Sequence, residues 1–176
     1  SPDILGSYSP ILSTTGLNFN HSIAFLISKK YLGKWQNYQE IHPGRCQQLE
    51  IDLGAGRKIL LINVYQPSGL ENIPRTSENF QLAENISHHI LSDSTLPIVV
   101  GGDWNETLHP RDRSSNRQGP YGSRILPSLI GPVGLVDLSH NHPDHTYQNR
   151  GSHSKSSKLD RFLGSPFITR ILRAYQ

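Results

Sequence analysis

Apolar and polar positions alternate most clearly over residues 46–53, where Leu49, Ile51 and Leu53 recur at every second residue. That is the period of a half-buried strand. Gly54-Ala55-Gly56 supplies a turn, and residues 59–65 form a more continuous apolar run, so the two segments predict a hairpin that Pro67-Ser68-Gly69 ends. Residues 23–27 predict a further buried strand. Over residues 76–91 the period changes. Leu82, Ile86 and Ile90 recur every fourth residue, with Phe80 and Ala83 beside them, which predicts a helix capped by Thr76 or Ser77. Asp93-Ser94-Thr95 ends it. A short run rich in β-branched residues follows, Leu96-Pro97-Ile98-Val99-Val100, and predicts a buried strand closed by Gly101-Gly102.

Beyond that strand the pattern weakens. Residues 114–122 read as a polar loop, and 123–130 as a short helix interrupted by Pro127. Residues 135–138 start a short element. Residues 146–147 and 159–163 predict strands flanking a Ser/Lys/His loop at 150–157, and 168–175 predict a last strand. Residues 1–20 are polar with scattered Pro and Gly and read as loop. Strands outnumber helices, without repeats or an obvious linker. The expectation is an α+β fold, sheets with helices packed outside, in a single domain over 1–176.

Composition narrows the partners. The 176 residues carry 17 Lys and Arg against 14 Asp and Glu, a net charge of +3. This suits a polyanion but is shared by many proteins without one. No apolar run approaches the ~20 residues of a membrane span, and the first residues lack the pattern of a signal peptide. Cys46 is the only cysteine, which excludes an internal disulfide and a multi-cysteine zinc site. A lone thiol fits a reducing compartment, intracellular and either nuclear or cytoplasmic. On this reading the sequons at Asn20, Asn85 and Asn105 are chance matches. Met is absent, which suggests an excerpt of a longer polypeptide.

The chemistry concentrates where the 96–100 run ends. Gly101-Gly102 lets backbone approach a ligand, and Asp103 and Asn105 project to one side if strand geometry continues. A carboxylate can take a proton from water. An amide can hydrogen-bond an oxyanion without adding negative charge. That pairing suits attack on a phosphate diester.

Four pieces occur in order: Asn63-Val64-Tyr65-Gln66-Pro67, Gly102-Asp103-Trp104-Asn105, His145-Thr146-Tyr147 and Ser157-Lys158-Leu159-Asp160-Arg161-Phe162-Leu163. Together they resemble the endonuclease/exonuclease/phosphatase superfamily, the fold of DNase I and the abasic-site endonucleases. The spacing is most like the endonuclease domain of non-LTR retrotransposons, with Pro110-Arg111-Asp112-Arg113, Leu135-Val136-Asp137 and the segment from His142-Pro143 to Thr146 also in place. The resemblance spans residues 23–175. It implies a two-sheet α/β sandwich with its site at one edge of the paired sheets, a Mg2+ or Mn2+ cofactor, and DNA as partner.

Roles carry over by position. Asp103 resembles the aspartate that activates the attacking water, and Asn105 the asparagine that binds the scissile phosphate. Tyr65 resembles the tyrosine that hydrogen-bonds a phosphate oxygen or the base, and Asp160 the aspartate that orients a catalytic histidine. Arg111, Arg113, Ser157 and Lys158 are the expected nucleic-acid contacts, with Arg117 and Arg124 further along the same loop. Lys158 in place of the usual Arg keeps the charge but loses the bidentate fork. The family's metal-binding glutamate has no match, since residues 1–22 contain no Glu, and its terminal Ser-Asp-His motif is not matched before Gln176. The expectation is therefore an incomplete fold at both termini, with weakened metal binding and impaired activity.

Other readings of these residues remain open. Tyr65 can be a core aromatic with a bonded hydroxyl, and Asp160 an ion-pair partner of Arg161 or Lys158. His140, His142 and His145 with Asp144 suggest a metal site, but without fixed spacing. Arg45 is expected to anchor the strand beside it. Another phosphoesterase of the superfamily (a phosphoinositide phosphatase, sphingomyelinase or deadenylase) and a catalytically dead remnant are the competing functions.

Overall fold

The hairpin expected from the alternating run lies at the heart of the larger sheet. A computed structural model describes residues 8–12, 23–92, 95–114, 125–130, 134–139, 144–148 and 156–174. Its elements begin with β1 (Tyr8–Leu12), β2 (Ala24–Ser28), β3 (Trp35–His42), β4 (Cys46–Gly54) and β5 (Arg57–Tyr65). Helix α1 (Glu78–Leu91) and strand β6 (Ile98–Asp103) follow, then α2 (Leu126–Ile130), β7 (Val136–Asp137), β8 (Tyr147–Gln148) and β9 (Ser156–Ser157). The last two are β10 (Asp160–Gly164) and α3 (Pro166–Ala174).

Six strands lie side by side in the order β3-β4-β5-β6-β10-β7, while β1–β2 and β8–β9 form two small sheets. The β5–β6 pair runs parallel. Parallel neighbours need a crossover, and α1 supplies it. Ser77 rather than Thr76 caps α1, its Oγ accepting from Phe80 N at 3.3 Å.

Strand alternation decides which layer each side chain joins. Ile62 and Val64 of β5, Val100 of β6 and Leu163 of β10 pack with Phe80, Ala83, Ile86 and Ile90 of α1. Ile59 and Leu61 of β5 take the other face with Leu49 and Ile51 of β4, under Phe25 and Ile27 of β2. The two layers are also tied by Asn63 Nδ2, which donates to Ala24 O at 2.9 Å. A helix on one face and a small sheet on the other make the layered α+β architecture that the pattern predicts. Each fully buried Leu, Ile or Phe contributes about 1.5–3 kcal/mol to it.

Several elements differ from expectation, among them the short strand β9 at the end of the 150–157 loop. Residues 168–175 do not form a strand; they belong largely to helix α3. Pro166 suits a first helical position, and the apolar positions 167, 168, 171 and 172 follow the helical period rather than period two. Strand β3 escapes sequence reading because its register against β4 shifts twice, between Gln36 and Gln39 and between Glu40 and His42. Asn37 sits at φ 53° in the first of these irregularities, so the alternation is broken where it would be read. Strand β1 falls within residues read as loop. Its Pro10 is tolerated because β1 is paired on one side, by β2. Pro127 does not interrupt α2, since it occupies the second helical position.

Candidate active site

Three strand ends meet at one rim of the six-stranded sheet. Tyr65 is the last residue of β5 and Asp103 the last of β6, and the parallel register sets them opposite each other. Asp160 begins β10 and stands opposite Asp103 from the other side. Backbone bonds extend this order past the strands: Gln66 N donates to Asp103 O at 2.8 Å, and Trp104 N to Leu159 O at 3.0 Å.

Of the glycines before Asp103, Gly102 is required by backbone space, while Gly101 leaves room for the exposed Phe162 ring. A Cβ on Gly102, whose φ is +149°, would lie 1.8 Å from Val64 O, and one on Gly101 would lie 2.5 Å from the Phe162 ring. Trp104 turns into the core, fully buried, with Nε1 donating to Arg161 O at 3.3 Å. Asn105 then takes the left-handed region at φ 49°, which Asn tolerates better than most residues. Its backbone N–H donates to Asp103 Oδ1 at 2.8 Å, and its Nδ2 donates to Gln66 O at 2.7 Å. The amide and the carboxylate are thus locked together within one turn. Burial pushes the Asp103 carboxyl above its ordinary value; the Asn105 N–H opposes the shift, and the Asp160 carboxylate adds to it.

Asp160 is exposed. Its position is fixed through the backbone: Thr146 Oγ1 accepts from both Leu159 N at 3.1 Å and Asp160 N at 3.0 Å. Neither Lys158 nor Arg161 pairs with it. Arg161 instead lies buried between two other carboxylates, with Nη1 2.7 Å from Asp137 Oδ2 and Nη2 bonded to Asp112 Oδ2. The Asp112 carboxylate also accepts from Leu108 N at 2.9 Å and His109 N at 2.7 Å. One guanidinium therefore joins β10, the edge strand β7 and the turn that follows Asn105.

The expected nucleic-acid contacts divide. Arg111 and Arg113 are exposed on the Pro110–Asp112 turn, and Arg113 forms an isolated bridge to Ser157. Lys158 corrects the expectation. It is buried, and its ammonium donates to Ser139 O while its backbone N donates to Asp112 O at 2.8 Å. Its stem and charge serve the interior, so it presents no cation to a nucleic acid. Arg117, Arg124, His140 and His142 lie outside the described residues. His145 is engaged locally, with Nδ1 2.6 Å from Ser156 Oγ and Nε2 3.3 Å from Arg111 O. Among the described residues no three His, Cys, Asp or Glu side chains come together as a metal site. Asp103 and Asp160 form an acidic rim, not a complete cage for a divalent ion.

Thr146, Asp112 and Asp137 stand in the ordered motifs without a role read from sequence, and Arg161 only as an alternative partner of Asp160. For Arg161 the signal was available. Alternation in β10 puts Arg161 on the inward face with Leu163, and an inward arginine requires acids beside it.

This layered sheet, with its rim at the carboxyl ends of β5 and β6, is the DNase I-like fold. The endonuclease domain of TRAS1, a telomere-specific non-LTR retrotransposon, superimposes with a TM-score of 0.65 at 14% identity, over 92% of this chain and 69% of that one. An AP endonuclease from Archaeoglobus fulgidus gives 0.67 at 20% identity, over 93% of this chain and 69% of that one. In sequence the chain is similar to an uncharacterized 149 kDa protein of transposon TX1 from Xenopus laevis, 28% identical over 165 residues. That match covers 86% of this chain and spans 12% of the relative's length. No family model matches the chain.

Proposed function

We propose that this chain carries out phosphodiester hydrolysis on DNA as part of a retroelement-like endonuclease domain. One observation carries the reading: Tyr65, the Asp103–Asn105 turn and Asp160, from three segments far apart in sequence, stand at one rim in a single bonded arrangement. Two structurally similar proteins, a retrotransposon endonuclease domain and an AP endonuclease, support the same chemistry.

The half-buried Asp103 carboxylate, with its raised affinity for a proton, accepts one from the attacking water. The water oxygen bonds to phosphorus as the bond to the departing sugar oxygen breaks, and that oxygen takes a proton from solvent. Asn105 holds the phosphate through an amide N–H, with its carboxamide plane fixed by Gln66 O. Tyr65 contributes a neutral hydroxyl donor beside it. Asp160, exposed at the rim, orients a basic group. A magnesium or manganese ion, expected from the resemblance, would supply positive charge; the described residues do not complete its ligand set, and these steps use side chains alone. The lone buried thiol supports an intracellular setting, nuclear or cytoplasmic.

Incubation with supercoiled plasmid, an inositol phospholipid and poly(A), each with millimolar magnesium, tests the reading. Nicked circles from plasmid, with the other two unchanged, are expected. Preferential turnover of the lipid or of poly(A) moves the chain to another phosphoesterase class. Folded chain that binds plasmid and never nicks it is the catalytically dead alternative.

A further inference from the structure

The rim carries two carboxylates, and a phosphodiester is itself negative, so binding needs a cation. Of the cations the motifs supply, Lys158 and Arg161 are buried and committed to internal partners, while Arg111 and Arg113 are exposed further along the chain, past Asn105, at the Pro110–Asp112 turn. Arg45, expected only to anchor a strand, stands elsewhere on the same rim. It closes the turn between β3 and β4, its backbone N donating to His42 O at 2.9 Å. Its carbonyl accepts from Tyr65 N at 2.8 Å. Its guanidinium lies 4.7 Å from the centre of the Tyr65 ring, and Nη1 donates to Tyr65 O at 3.4 Å. Arg45 is half-buried, and among the described residues no carboxylate lies within ion-pair range of it.

A guanidinium has five N–H donors in a planar fork, and stacking on a ring leaves its edge available. We infer that Arg45 is a phosphate-binding residue, held against Tyr65 so that its fork meets a backbone phosphate of DNA at the Asp103 rim. The inference rests on the proposed nuclease function and adds a binding residue to it. Tyr65 then does two things: on the proposed function its hydroxyl donates to the reacting diester, and its ring sets the angle of the cation that attracts the DNA. The pair also makes the β3–β4 turn part of the binding surface, although none of the ordered motifs lies there.

The test is equilibrium binding of a short labelled DNA duplex at a series of salt concentrations, in EDTA so that no cleavage intervenes. Each phosphate contact adds about 0.9 to the slope of log affinity against log salt. Arg45→Gln keeps much of the stem that packs on Tyr65 and removes the charge. It is expected to reduce the slope by about one and to weaken low-salt binding by roughly threefold to tenfold. Arg45→Lys restores the slope, a rescue that a packing role would not give. Circular dichroism of both variants checks folding, and Arg45→Lys carries the test if Arg45→Gln does not fold: a salt slope lowered by about one with the charge retained then overturns the assignment. DNA binding by the parent with the same slope in Arg45→Gln overturns the Arg45 assignment alone. No DNA binding by the parent overturns the nuclease reading, and the assignment with it.

Discussion

Two pairs of carboxylates sit close together in this fold and are treated in opposite ways. Asp112 and Asp137 are shut away from water around Arg161, each within bonding distance of the guanidinium. Asp103 and Asp160 face each other across adjacent strands, and among the described residues no cation pairs with either. One strand serves both, because successive residues of β10 point to opposite sides: Arg161 inward to the first pair, Asp160 outward to the second. The chain thus had a cation one residue away and spent it on the interior. The first pair fixes where the strands and the Pro110–Asp112 turn lie. The second has no such cation among the described residues, and burial, with Asp160 adding to it, raises the affinity of Asp103 for a proton.

The sharpest way to break this contrast is to remove the unsatisfied charge. Asp103→Asn preserves shape and the acceptor for Asn105 N–H but cannot take a proton. Plasmid nicking is expected to fall by about 100- to 10,000-fold, the usual contribution of a positioned base, with an unchanged circular dichroism spectrum. Activity within tenfold of the parent would remove Asp103 from this role.

The complementary substitution strikes the satisfied pair. Arg161→Met leaves Asp112 and Asp137 buried without their partner, which costs about 3–5 kcal/mol. That is a large part of the ~5–15 kcal/mol that holds a domain together. Urea unfolding should show it as a lower midpoint. Neutralising both acids in the same background, with Asp112→Asn and Asp137→Asn, should recover part of the loss. A loss below ~1 kcal/mol would mean that the network holds little.

The contrast also explains what could be read from the sequence. Strands β4, β5 and β6 and helix α1 were legible because their apolar positions keep one period and end in glycines, prolines or a serine cap. The rim residues were legible because Asp103 and Asn105 sit two apart after Gly101-Gly102 and because the other motifs follow in order. Lys158 was misplaced because a charge written in a sequence says nothing of whether water reaches it. Arg45 reads from the sequence only as a strand anchor because its neighbour Tyr65 lies twenty residues away, across the β4–β5 hairpin. Strand β3 was lost to its two register shifts. In α3 the apolar pairs at 167–168 and 171–172, separated by Thr169 and Arg170, carry the helical period, and Pro166 adds a helix start; a strand there overlooks both.

A smaller effect follows from pH. The Asp103 carboxyl binds its proton more tightly in the folded chain than in the unfolded one, chiefly through burial. Between the ordinary carboxylate range and its raised folded value, the native state holds more protons, so this group's contribution falls as pH rises through that window. Above it the cost is constant; below it the cost is absent. Asp103→Asn is therefore expected to raise the melting temperature at neutral pH, with the gain fading as pH drops through the carboxylate range. A melting temperature that falls at neutral pH would show that the charge is not a burden on the fold, and the contrast between the two pairs would lose its energetic half.

The smallest expected signal concerns Cys46, which begins β4 directly after Arg45 and pairs with Val64 beside Tyr65. Its thiol is buried and its pKa is pushed up to about 12 by that burial. Only the thiolate reacts appreciably, so alkylation at pH 8 must await an opening of this end of the sheet. The expected native rate is near zero over hours, rising steeply in urea as the whole domain unfolds. Rapid modification of folded chain would mean that the ends of β4 and β5 open locally. Arg45 and Tyr65 would then not be held in place from below, and the fixed order of the rim would have to come from β6 and β10 alone.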